Sequence, residues 1–108
     1  MKTEQILMAI TMLATAQLTR QRFVNFAGSP ANATDPALGV ANANYDPGEQ
    51  AGVSTHGLVL VEAGAAVAQG AQVQSDVTGR AITLAAGVAA GRAVDAATAA
   101  GEFIRVLR

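Results

Sequence analysis

Apolar and polar residues alternate with a period of two along several short stretches of this chain, which is typical of β-strands rather than helices. The clearest case is at the C-terminus. There, Ile104 and Val106 would lie on one face of a strand, with Phe103, Arg105 and Leu107 on the other. Because both faces are largely apolar, we expect this strand also to be a candidate edge for pairing with another chain.

Similar stretches predict further strands at 20–26, 38–41, 50–61 and 81–84. The continuous apolar run at 58–61 is rich in β-branched residues, so we expect it to be buried on both faces. Phe23 and Phe26 are expected to be core residues. Turn-forming residues at 46–48 and 76–80 separate the strands. The pattern therefore predicts a mainly β fold.

The segment 85–100 is harder to interpret because it contains nine alanines and two glycines. Alanine favours a helix, whereas Gly87 and Gly91 favour a closely packed backbone. Residues 92–99 are compatible with a strand followed by a loop or with one helical turn.

The apolar N-terminal segment has three interpretations. Lys2, the apolar run 6–13 and the small residues 14–16 together resemble a secretory signal with its cleavage site. As an amphipathic helix, the segment would place Ile6, Ile10 and Leu13 on one face. As an extended arm, it would expose apolar side chains on both sides and would need a partner.

We favour the extended arm. The predicted organisation is an N-terminal arm at 1–18 followed by a compact β domain at 19–108. The arm is predicted to supply contacts to other subunits through its large apolar side chains, which are Ile6, Leu7, Met8, Ile10, Met12 and Leu13.

Length and composition predict one small domain with a thin core. The chain has 108 residues and is half apolar, yet alanine and glycine supply much of that fraction and the only aromatic residues are three Phe and one Tyr. A domain of this size buries too little surface to be very stable alone. Without cysteine for a disulfide, association with other chains is the natural source of additional burial.

Charge and residue inventory argue against several classes of function. Seven basic and eight acidic residues are spread singly along the chain, so we expect no nucleic-acid or membrane binding. No nucleophile motif is present, His56 is the only histidine, and the acidic residues lie singly in turns. Lys2 is the only lysine, which leaves no acceptor for biotin or lipoate. We predict no enzyme activity, no cofactor and no metal site.

Five pieces of sequence, in this order, resemble the small bacteriophage capsid cement or decoration proteins. They are Phe23-Val24, the stretch at 38–41, Gly48-Glu49, VEAGAAVAQGAQVQSDVTGRAI and AVDAATAAGEFIRVL. The resemblance implies a β-barrel akin to the β-tulip head-stabilising proteins. It also implies a homotrimer that is made in the bacterial host cytoplasm. On the virion it would bind the major capsid protein on the outer surface of the head and bridge its subunits.

The alternative function belongs to another class. If the N-terminal segment is a cleaved signal, the remainder would be a secreted or periplasmic β-sandwich domain that binds a ligand.

Overall fold

The computed structural model describes residues 3–108, in which eight β-strands form one sheet and no helix is present. No segment within this range is a helix long and apolar enough to cross a membrane. The mainly β fold predicted from the sequence is confirmed. The strands are β1 (Gln5–Leu13), β2 (Phe23–Asn25), β3 (Ala37–Ala41), β4 (Gln50–Glu62), β5 (Gln72–Ser75), β6 (Ala81–Thr83), β7 (Ala89–Ala93) and β8 (Phe103–Leu107).

The thirteen-residue strand β4 is the element to which the others attach. Val53 and Ser54 have β1 and β3 as neighbours, whereas Leu58 has β1 and β8. All of these pairings are antiparallel. β4 therefore holds together parts of the chain that lie far apart in sequence.

The sheet curves into a nearly closed barrel. From β4 it continues through β8, β7, β5 and β6. β6 then returns to the end of β4, where Ala63 and Ala81 form a parallel bridge and the Gly64 N–H donates to the Ala81 carbonyl at 2.8 Å. This closure satisfies backbone groups that an open sheet would leave at its edges.

The main core fills the barrel with small and β-branched side chains. Val59 and Val61 of β4 are fully buried, as are Ile104 and Val106 of β8. The faces predicted for the C-terminal strand are thus confirmed. The prediction that 58–61 is buried on both faces is wrong, because the side chains of alternate residues reach the outer face and are only half-buried.

A second, smaller cluster lies beneath the end of β1. Its largest buried member is Leu18, and Tyr45 packs against it while remaining partly exposed. The other buried members are small or β-branched: Ala14, Val24, Ala41 and Ala51.

The N-terminal segment is extended, as predicted, but it is not a free arm. β1 pairs with β4 along its length, from Gln5 opposite Leu58 to Leu13 opposite Gln50. Residues 1 and 2 of the predicted arm lie outside the described residues. The division of the chain at residue 18 stays a prediction.

Two other expectations need correction or resolution. Phe23 is buried as predicted, but Phe26 is not a core residue because 64% of its surface is exposed. In 85–100 the structure has β7 and irregular connections in place of a helix. Part of the reason is Gly91, where a Cβ atom would lie 2.6 Å from a methyl group of Val106.

Candidate functional site

β1 presents most of its apolar side chains to the outside. Ile6, Leu7, Met8 and Leu13 are exposed, with Leu7 the most exposed at 78%. The two other predicted contact residues are more enclosed: Ile10 is half-buried, and Met12 packs partly against the second cluster.

The path of β1 is irregular near its middle. The pairing register shifts between Ile6 and Met8 and again between Met8 and Ala9. Such irregularities are β-bulges, which bend a strand and redirect its side chains. The side chains of this extended segment therefore do not alternate between two faces without interruption.

Gly57 is the residue on β4 that allows this bend. Its φ angle is +114°, and a Cβ atom there would lie 2.4 Å from the carbonyl oxygen of Gln5 and 2.7 Å from the nitrogen of Leu7. Any other residue would push β1 away. Gly57 also pairs with Arg108 on its other side, at 3.2 and 3.0 Å.

The outer edge of β1 has no strand partner among residues 3–108. At its C-terminal end, the Ala14 N–H and carbonyl face Glu49 and Gly48 at 2.9 and 2.8 Å. Backbone groups alternate between the two edges of a strand, so those of Thr11 and Ala9 point away from β4. They are free to pair with a strand from another chain.

An apolar groove opens beside β1 where β1, β4 and β8 meet. Its volume is about 310 Å³, and it is lined by Leu7, Leu58, Leu107, Gln5 and Gly57. No charged side chain lines this leucine groove. An uncharged concave surface walled by leucines suits an apolar side chain of a protein partner.

Leu58 and Leu107 were not among the predicted contact residues. The two-sided apolar pattern of the last strand was a partial signal for Leu107. However, β8 is not an edge strand as expected, because it pairs with both β4 and β7. Only the pairing register, which sets Leu107 opposite Leu58, brings these leucines together with Leu7.

Several charged side chains form ion pairs that link parts of the fold. Glu62, at the end of β4, contacts Arg22 at 3.2 Å and Arg80 at 3.8 Å, and Arg80 also contacts Asp76 at 3.3 Å. This four-residue network ties the turn before β6 to the start of β2. The Phe23 N–H reinforces it by donating to the Gly79 carbonyl at 2.7 Å.

Asp76 organises the turn within this network. Burial acts to raise the pKa of Asp76, but hydrogen bonds from the Thr78 and Arg80 N–H groups and the Thr78 hydroxyl outweigh it, helped by the Arg80 charge. The net result is a pKa below the usual range. Asp76 therefore serves turn geometry, as expected for acidic residues in turns.

The titratable side chains of the described residues include one histidine, His56. His56 is exposed, with its Nδ1 atom 3.1 Å from the Thr55 hydroxyl. Within residues 3–108, no three side chains of the His, Asp or Glu type come together as a metal site. The leucine groove and the open edge of β1 are surfaces available for contact with another molecule.

A comparison with solved structures found a chain that shares this fold. One solved structure with the same fold is the crystal structure of the head fiber gp8.5 N base of bacteriophage phi29. It has a TM-score of 0.76 and 19% sequence identity, and the match covers 92% of this chain and 91% of that one. No curated protein matches significantly.

The sequence profile of a family described as phage cement protein matches residues 1–108, the whole chain. The match thus includes both β1 and the leucine groove. Cement proteins are structural components of phage heads rather than enzymes. The resemblance noted in the sequence is confirmed, and this chain belongs to the phage cement protein family.

Proposed function

We propose that this protein binds the outside of the assembled phage head, where it bridges neighbouring subunits of the major capsid protein and stabilises the mature shell as a homotrimer. The observation that carries the proposal is the apolar surface of β1, which has an open edge on one side and the leucine groove on the other, where β4 and β8 lie. Together they offer backbone groups for strand addition and an apolar depression for side chains, which is a common way to bind an extended segment.

The exposed leucines can supply the binding energy. Complete burial of one leucine side chain stabilises a contact by about 1.5–3 kcal/mol. Leu7 and Leu107 are 78% and 57% exposed, so both have surface left to bury. Gross gains of this size are reduced by the cost of association, which makes each single site weak.

Three weak sites on one trimer would act together. Linked sites raise the overall avidity by about 10²–10⁴ when they can engage at once. A trimer that spans several capsid subunits would then hold them in place. It would favour the mature shell only if it binds that state more tightly than the precursor, because differential affinity is what shifts such an equilibrium.

Substitutions of exposed side chains test this proposal better than a deletion of the N-terminal segment. Removing residues 1–16 would delete β1 and the buried Ala14, so lost binding would be hard to separate from unfolding. Leu7→Ser and Leu107→Ser change only exposed side chains, for which stability effects of about 0.5 kcal/mol or less are typical. Val88→Ser is a matched control, because Val88 is 40% exposed and does not line the groove.

The experiment is co-sedimentation of each purified variant with undecorated heads. We expect Leu7→Ser and Leu107→Ser each to weaken binding by about tenfold or more, which corresponds to about 1.4 kcal/mol, and Val88→Ser to bind like the unchanged protein. The solution mass of each variant, measured in parallel, shows whether that variant forms the proposed trimer. Full occupancy by the Leu7→Ser, Leu107→Ser double variant would contradict the proposal.

A further inference from the structure

The outer edge of β1 is open along one stretch and closed at its C-terminal end. The Ala9 and Thr11 backbone groups point away from β4 and have no strand partner among residues 3–108. At Leu13, the turn that follows β2 covers this edge. A Cβ atom at Gly28 would lie 2.3 Å from the Leu13 carbonyl oxygen, so the turn contacts the β1 backbone directly. The open stretch therefore has a fixed end.

Hydrogen bonds hold this turn against the end of β1. The Thr15 N–H donates to the Gly28 carbonyl at 2.9 Å, and the Thr15 hydroxyl donates to the Ala27 carbonyl at 2.9 Å. Within the turn, the Asn25 Oδ1 atom accepts hydrogen bonds from the Ala27 and Ser29 N–H groups at 3.0 and 3.1 Å. The turn is thus ordered internally and attached to the strand.

This ordered turn carries Phe26, whose surface is 64% exposed. Leu13, at the end of β1 that the turn contacts, is 51% exposed. The open edge therefore ends beside large apolar side chains from two elements. An aromatic side chain on an ordered backbone is a frequent anchor of protein contacts, because little conformational entropy is lost when it is buried.

The partner that fits this edge is an extended and uncharged segment. Unpaired N–H and C=O groups at alternate residues of an edge strand are the pattern that another strand satisfies. Residues 5–13 include no charged side chain. A charged residue placed opposite them would lose hydration without gaining an ion pair.

A second copy of β1 fits the same edge less well. Antiparallel pairing of two copies would set residues 9–13 of one strand either against the register shifts between Ile6 and Ala9 of the other or against its Gly28 turn. Register shifts interrupt a regular ladder. A strand from a different protein meets neither obstacle, and the proposed function already brings the capsid protein to β1.

We propose that the outer edge of β1 takes an uncharged extended segment of the major capsid protein by strand addition, and that the Phe26 turn stops this segment and contacts the side chain at its end. The inference rests on the proposed function. It adds the kind of segment that is bound, the backbone groups that pair with it, and the residue that fixes its register.

Proline at position 11 tests the strand addition. Thr11→Pro removes an N–H that points away from β4, and edge strands accept proline where that group faces solvent. Thr11→Val is the matched control, because it keeps the N–H and a β-branched side chain. We expect Thr11→Pro to weaken co-sedimentation with undecorated heads by about tenfold or more, and Thr11→Val to bind like the unchanged protein.

Substitution of Phe26 tests the turn independently. Phe26→Ser removes the ring, whereas Phe26→Leu keeps a large apolar side chain. We expect Phe26→Ser to weaken co-sedimentation by about fivefold or more and Phe26→Leu to stay within about twofold of the unchanged protein. Because Phe26 is exposed, both variants should keep the melting temperature of the unchanged protein. This test therefore stands even if Thr11→Pro unfolds.

Full binding by a folded Thr11→Pro variant or by Phe26→Ser would overturn the inference, as would an equal loss for Thr11→Val. A Thr11→Pro chain with a reduced solution mass would show that the edge pairs between copies, and the inference would again be wrong. If only Leu7→Ser and Leu107→Ser weakened co-sedimentation, the proposed function would stand without this inference. Heads that do not bind the unchanged protein would contradict both.

Discussion

The two halves of β4 lie beside different apolar structures: the C-terminal half beside a buried core, and the N-terminal half beside a strand with exposed apolar side chains. The C-terminal half contributes Val59 and Val61 to the main core, where they lie opposite Val106 and Ile104 and are fully buried. The N-terminal half contributes the fully buried Val53 and, in the second cluster, Ala51, while β1 beside it keeps Leu7, Met8 and Leu13 exposed.

This difference assigns the stability of the fold and the contact with other molecules to separate parts of the structure. Burial of a Val or Ile side chain stabilises the fold by about 1.5–3 kcal/mol, whereas alanine has little apolar surface to contribute. The barrel therefore supplies most of the folding energy. The β1 region holds its large apolar side chains available for other molecules, so substitutions in the two regions should have different consequences.

The largest effect should come from the main core. Ile104→Ala removes a fully buried side chain and leaves a cavity, so we expect a loss of about 3 kcal/mol in the free energy of unfolding, measured by urea titration. Leu107→Ala, on the same strand but 57% exposed, is the matched control and should cost less than about 1 kcal/mol. Equal losses in the free energy of unfolding for the two variants would contradict the difference between the main core and the exposed face.

A smaller effect is expected in the second cluster. Leu18→Ala should cost about 2 kcal/mol, near the lower end for a buried leucine, because the partly exposed Met12 and Tyr45 beside it can move into the space. Amide hydrogen exchange should then increase in β1 more than in β8, since regions open locally. A uniform increase across both strands would show that the halves unfold as one unit.

The smallest effect concerns the charge network that closes the barrel. Asp76→Asn should cost about 1 kcal/mol at neutral pH by weakening charge-assisted hydrogen bonds. The pKa of Asp76 is lowered in the folded protein, so its contribution is present above the unfolded pKa of about 3.9. It is lost as the pH falls through the lower folded value.

The measurement is urea unfolding of the Asp76→Asn variant and of the unchanged protein between pH 7 and pH 3. The difference in their free energy of unfolding should stay constant down to about pH 5 and then shrink below about pH 4. Asp46→Asn removes the same charge from an exposed turn and should change stability much less. A difference in unfolding free energy that grows as the pH falls would contradict the stabilising role assigned to the ionised Asp76.

Much of the barrel could be predicted because its strands contain large residues at alternate positions. The C-terminal strand is the best case, since the period of two places Ile104 and Val106 together on one face, and that face is the buried one. The Ala-rich strand β7 gave no such signal, because small side chains look alike on both faces. Its identity depends on close contacts such as that between Gly91 and Val106.

The candidate site was only partly predictable for a similar reason. Exposed apolar residues in β1 follow from local sequence, but the leucine groove also needs Leu58 and Leu107, which only the pairing register brings beside Leu7. Phe26 was misassigned because an aromatic residue usually belongs to the core. The turn fixed by Asn25 and Thr15 holds it outside.

The central position of β4 also has a consequence for how fast the molecule folds. Its partners β1 and β8 come from opposite ends of the described chain, so long loops must close before either ladder forms. Proteins dominated by such non-local pairings fold in milliseconds to seconds rather than microseconds. A newly made chain would therefore keep both edges of β4 unpaired for a comparatively long time, during which it could pair with a wrong strand.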